Sequence, residues 1–112
     1  MDKLIRIFEL QKEFNKSIGV DIDFMHPDQK ELWLSQMATA LMQECAELKD
    51  CTRWKWWKKG CVYDKIEARK EIVDILHFLV SAAQFADLDA SDLYEEYCKK
   101  NKINFERQEG GY

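Results

Sequence analysis

Residues 71–79 read Glu71-Ile72-Val73-Asp74-Ile75-Leu76-His77-Phe78-Leu79. Ile72, Val73, Ile75, Leu76 and Leu79 are the residues of a core-facing helix. Glu71 and Asp74 interrupt them. Three positions apart, the two carboxylates share one helical face, and Glu67 before them and Phe78 after them extend the same side. Upstream, Met37, Leu41, Glu44, Leu48 and Cys51 form a second seam at alternating spacings of four and three. Glu44 lies inside that seam and Glu47 one turn along borders it. The chain thus holds two helices whose apolar faces each carry an acidic pair.

Outward from these, the punctuation gives four helices. The first covers roughly residues 2–18 and ends near Gly19; Pro27 marks the following loop. The second starts around Asp28 and runs toward the Trp-rich stretch, with Gly60 as its stop signal. The third begins at Asp64, a good N-cap, and continues to about residue 86. The fourth is announced by Asp89 and Ser91 and runs toward Gly110 and Gly111. Four glycines, one proline and no strand-type alternation point to an all-α chain, a single domain over residues 1–112. The expected architecture is an antiparallel bundle of about four helices, completed by dimerisation because so short a chain buries a modest fraction of its surface.

A net charge of −4 argues against broad nonspecific binding to nucleic acid. No apolar run is long enough to span a bilayer, and residues 1–10 lack a signal-peptide core. Cys45, Cys51, Cys61 and Cys98 form no C-x-x-C pair and read as reduced thiols. The expected location is the cytoplasm.

Carboxylates on an apolar face are costly unless their charge is offset. Either pair alone is ordinary on a solvated helix face. Two pairs flush with apolar seams favour a hard divalent cation, Mg²⁺ or Mn²⁺, over zinc, since His26 and His77 make no convincing zinc set with the cysteines. A core histidine bonded to backbone or carboxylate is the simplest reading of His77. Helix one repeats the anomaly with carboxamides: Gln11 and Asn15 interrupt the stripe Leu4, Phe8, Ile18. They are either rim residues or a donor and acceptor pattern for a flat polar ligand such as a nucleobase. In Trp54-Lys55-Trp56-Trp57-Lys58-Lys59, a Trp suits a base pocket and a Lys suits phosphate; single-strand nucleic-acid binding is the rival reading. Lys100, Asn104 and Arg107 are four and three apart, one cationic stripe on helix four.

E-x-x-E followed by E-x-x-D resembles the all-α nucleoside triphosphate pyrophosphatases, the MazG-like superfamily. LQKEFN around Gln11 and Asn15, WKWWKK at 54–59, VDILHF at 73–78 and KKNKINFERQEGGY at the end are similar to the dimeric dUTPases, over nearly the whole chain and in the family's order. The resemblance implies hydrolysis of dUTP to dUMP and pyrophosphate with Mg²⁺. It implies that Glu44, Glu47, Glu71 and Asp74 hold metal, that Gln11, Asn15 and Trp57 contact base and sugar, and that Lys100, Asn104, Arg107 and Tyr112 close on the phosphates. Glu47 is the expected catalytic carboxylate, orienting or deprotonating water. The chain differs from longer members in having only residues 86–91 between helices three and four. The alternatives are an enzyme of the same fold acting on another nucleotide such as dCTP, and a non-enzymatic helical interaction module.

Overall fold

The computed structural model describes residues 2–111. Those residues form α1 (Lys3–Ser17), a 3₁₀ turn (Ile22–Phe24), α2 (Pro27–Asp50), α3 (Lys65–Phe85) and α4 (Ala90–Glu109), with no strand among them. The starts follow side-chain chemistry. Asp2 accepts from the backbone of Leu4 at 2.7 Å and Ile5 at 3.2 Å. Asp64 accepts from Glu67 N at 3.0 Å. Asp89 and Asp92 cap each other's backbone N–H at 2.8 and 3.2 Å. Each side chain satisfies amide donors that the first helical turn leaves without partners. α2 opens one residue before Asp28, with Pro27 in the position where its missing N–H costs nothing.

Gly60 does not end α2, which stops at Asp50, ten residues short of it. Its last carbonyls are taken by Cys51 N, Thr52 N and Thr52 Oγ1. The chain then crosses to α3 through residues 51–64, and Asp64 N donates to Cys51 O at 2.8 Å to close the crossing. The Trp cluster therefore sits in a connection rather than on a helix. Along the two helices the contacts run in opposite senses. Cys51 meets Asp64, Glu44 and Glu47 meet Glu71, and Trp33 stacks on Phe85 with centroids 6.2 Å apart.

The seam on α2 is as its spacing predicts: Met37, Leu41, Glu44 and Leu48 are half-buried and Cys51 buried against α3. The main core lies elsewhere, at Phe8, Val80, Ala83 and Ala90, with Leu4, Ile7, Leu88 and Leu93 packed around it. It joins α1, the C-terminal half of α3 and the start of α4. The expected core residues of α3 divide. Ile75 is half-buried, while Ile72, Val73, Leu76 and Leu79 are 55%, 53%, 39% and 47% exposed. They occupy a third side of α3, covered by neither α1 nor α2. Ile18, at the C-cap of α1, is likewise outside the core. No helix among the described residues is long and apolar enough to cross a membrane.

Candidate functional site

The periodicity that puts Glu44 and Glu47 on one side of α2, and Glu71 on the α2-facing side of α3, brings the three together. Carboxylate oxygens of Glu44, Glu47 and Glu71 lie within 4.8 Å of one another. One oxygen each of Glu44 and Glu71 is buried with no hydrogen-bond partner. Glu47 is exposed. Crowding has an electrostatic consequence. The Glu44 carboxyl is pushed up to about 7, first by a proton shared with Glu71 and next with Glu47; burial and the negative charge of both neighbours add to it.

A donor set of oxygens, two of them buried and unpartnered, fits a hard divalent cation, which would replace the shared proton. The sign of the linkage follows. Because the Glu44 pKa in the folded state is raised, its proton favours the fold at low pH, and that contribution is lost as pH climbs through about 7. We expect cation-free protein to lose melting temperature from pH 5.5 to 8, and Mg²⁺ to restore more at pH 8 than at pH 5.5. Glu44→Gln should flatten both trends. An equal Mg²⁺ shift at the two pH values would contradict this picture.

Asp74 is exposed one turn beyond Glu71, outside this cluster of three. It lines an adjoining cavity of about 580 Å³, which Glu44 also borders. Gln11 and Asn15 line the same cavity, and Trp33, Met37, Phe78 and Phe85 supply apolar surface. Carboxamides and carboxylates that the sequence places on separate helices thus face one space.

The carboxamides are held by side chains. His77 Nδ1 lies 2.7 Å from Gln11 Oε1. Gln11 Nε2 donates to Asn15 Oδ1 at 3.1 Å, and Asn15 Nδ2 donates to Ser81 Oγ at 3.1 Å. His77 is thus not the core histidine bonded to backbone or carboxylate that the simplest reading of the sequence had: it is exposed, and its hydrogen-bond partner among the described residues is an amide. Trp57 does not line the cavity of its own chain. It is 60% exposed in the 51–64 connection, edge-on to Trp54 and Trp56, because α2 ends before reaching it. Trp33 is the tryptophan at the cavity. Lys100, Asn104 and Arg107 lie on the exposed C-terminal half of α4, and none lines this cavity. Tyr112 lies outside the described residues.

A larger cleft of about 690 Å³ separates α1, the 3₁₀ turn and the α3–α4 turn. Its two lysines are paired, Lys12 with Asp23 and Lys30 with Asp87, each at 2.9 Å. The acidic cluster and the ordered amides are at the smaller space.

Residues 3–86 match the dUTPase family. The chain belongs to that family. The match spans both acidic pairs and both carboxamides. Among characterised relatives, the dCTP pyrophosphatase of Enterobacteria phage T4 is 34% identical over 71 residues. That alignment takes in 53% of this dUTPase-family chain and 42% of the phage protein, so less than half of the relative's length is represented. No solved structure matches the chain.

Proposed function

We propose that this dUTPase-family chain hydrolyses dUTP to dUMP and pyrophosphate with Mg²⁺, as a homodimer. The observation carrying the reading is the convergence of three carboxylates, two with buried unpartnered oxygens, beside a cavity that a pair of hydrogen-bonded carboxamides also lines. The phage relative's name supports pyrophosphatase chemistry and makes dCTP the alternative substrate.

Glu44 and Glu71 would hold the cation, with Glu47 completing the set and Asp74 at the cavity edge. When bound, Mg²⁺ would supply positive charge to phosphate oxygens and acidify nearby water. Glu47 is the open carboxylate of the three, which suits it to orient the attacking water and accept its proton. Gln11 and Asn15 would take the polar edge of the base, while the apolar wall excludes water from it. Lys100, Asn104, Arg107 and Tyr112 would meet the phosphates and the negative charge that develops on pyrophosphate as it leaves. On this reading, Arg107→Ala raises KM for dUTP about tenfold, the scale of one charge-assisted hydrogen bond, an effect larger than its effect on folding. An unchanged KM removes α4 from the site.

Exposed area supports the dimer. The chain exposes 8865 Å², against about 6,500 Å² expected for a monomer of its mass. Its radius of gyration is 17.2 Å, against about 13 Å for a compact domain of this length. The excess of roughly 2,400 Å² per chain is of the size that obligate homodimers bury. The free side of α3 and the exposed Tyr94, Tyr97 and Phe105 of α4 are the apolar surfaces that such an interface would cover. The direct test of activity is product analysis: dUTP with Mg²⁺ should yield dUMP and pyrophosphate in equal amounts. Release of orthophosphate, or no turnover of any nucleotide, overturns the proposal.

A further inference from the structure

Gln11, Asn15, His77 and Ser81 all line the 580 Å³ cavity and form one continuous hydrogen-bonded relay. Gln11 and Ser81 are buried, at 8% and 1% exposure. An amide carbonyl oxygen can only accept, so with Gln11 oriented as it is here, Oε1 toward the ring, the matching His77 tautomer carries its proton on Nδ1. Direction then propagates. His77 N–H donates to the Gln11 carbonyl, Gln11 N–H to the Asn15 carbonyl, and Asn15 N–H to Ser81 Oγ. Each amide keeps one further N–H and one further oxygen lone pair.

A carboxamide that can turn freely cannot tell uracil from cytosine. In one orientation it donates to uracil O4 and accepts from N3–H. Rotated half a turn, it accepts from the cytosine amino group and donates to N3. Discrimination requires that the amide be prevented from turning. Rotating Gln11 alone would set two acceptors against each other at Asn15 and two donors at His77, each a lost hydrogen bond at a part-buried contact of the buried Gln11 side chain. Reversing the whole relay would require His77 to move its proton to Nε2.

We propose that His77 is the specificity-setting positioning residue: its Nδ1–H holds Gln11 and Asn15 in one polarity, so the cavity tells uracil from cytosine, with uracil the preferred base on the dUTP reading above. The inference rests on the nucleotide reading of the cavity given above. The distinction is one of hydrogen-bond complementarity, which rejects a mismatched partner far more strongly than loss of a methylene does.

The test has two arms. ¹⁵N NMR of the histidine ring in the wild-type protein should show His77 protonated at Nδ1. In parallel, kcat/KM for dUTP and for dCTP is measured for wild type and His77→Phe. The expected result is a wild-type preference for dUTP that falls at least tenfold in the variant, with the loss carried by KM for dUTP rather than by kcat. A proton on Nε2 alone, or an unchanged dUTP-to-dCTP ratio in a folded variant, overturns the inference while the pyrophosphatase reading stands. A wild-type protein that hydrolyses neither nucleotide overturns both. Should the variant fail to fold, the NMR arm decides.

Discussion

Glu47→Gln will lower kcat for pyrophosphate release by about 10²–10⁴-fold, the usual contribution of a general base, while the protein keeps its helical circular dichroism and its melting temperature. Glu47 is the exposed member of the cluster, and its replacement is isosteric, so no packing is lost. The change also removes one negative charge from a crowded set, relieving the repulsion that helps push Glu44 upward. Stability should therefore hold or rise slightly while turnover disappears. That combination separates a catalytic carboxylate from one that merely supports the fold. Wild-type turnover in the variant would take Glu47 out of the chemistry.

If the proposed homodimer packs on the free side of α3, Leu76→Glu will convert it to monomer and cost on the order of 3 kcal/mol, the scale expected when an unpaired charge is forced into a buried position. In the single chain Leu76 is 39% exposed, and a surface substitution of that kind shifts stability by about 0.5 kcal/mol or less. The two outcomes are far apart. Leu76 shares the uncovered side of α3 with Ile72 and Leu79 at spacings of four and three, and a contiguous exposed apolar stripe of this kind marks an interaction surface. Sedimentation equilibrium with thermal melts reads both effects. A variant with unchanged mass and melting temperature means this face is not a dimer contact.

Local chemistry was legible in the sequence and long-range chemistry was not. Asp64 and Asp89 announce the helices they cap because a carboxylate at that position satisfies amides only a few residues away. Glu44, Glu47 and Glu71 could be placed together because helical spacing sets which face each occupies. Gln11 stood out as polar on an apolar stripe, and it is buried there. The end of α2 was missed because it is set by Asp64 N reaching Cys51 O across the connection, not by the glycine further along. The His77 contact to Gln11 joins residues 66 positions apart, and no local pattern carries such information. Trp33 and Ser81 did have a signal. Trp33 extends the Met37–Leu41–Glu44 seam by one turn, and Ser81 lies one turn beyond His77 on the same side of α3. The Trp cluster at 54–57 drew attention by its density, but its side chains pack on one another.

The chemistry assigned to this chain depends on the Glu44–Glu47–Glu71 cluster taking up a divalent cation. Mn²⁺ is a paramagnetic stand-in for Mg²⁺ with the same preference for oxygen ligands. Titrating the protein into Mn²⁺ at pH 8 should quench the six-line electron paramagnetic resonance signal of the free ion, and Mg²⁺ should restore it by competition. Glu44→Gln/Glu71→Gln protein should leave the signal intact. Undiminished free Mn²⁺ with the wild-type protein, or equal quenching by the double variant, would contradict the account.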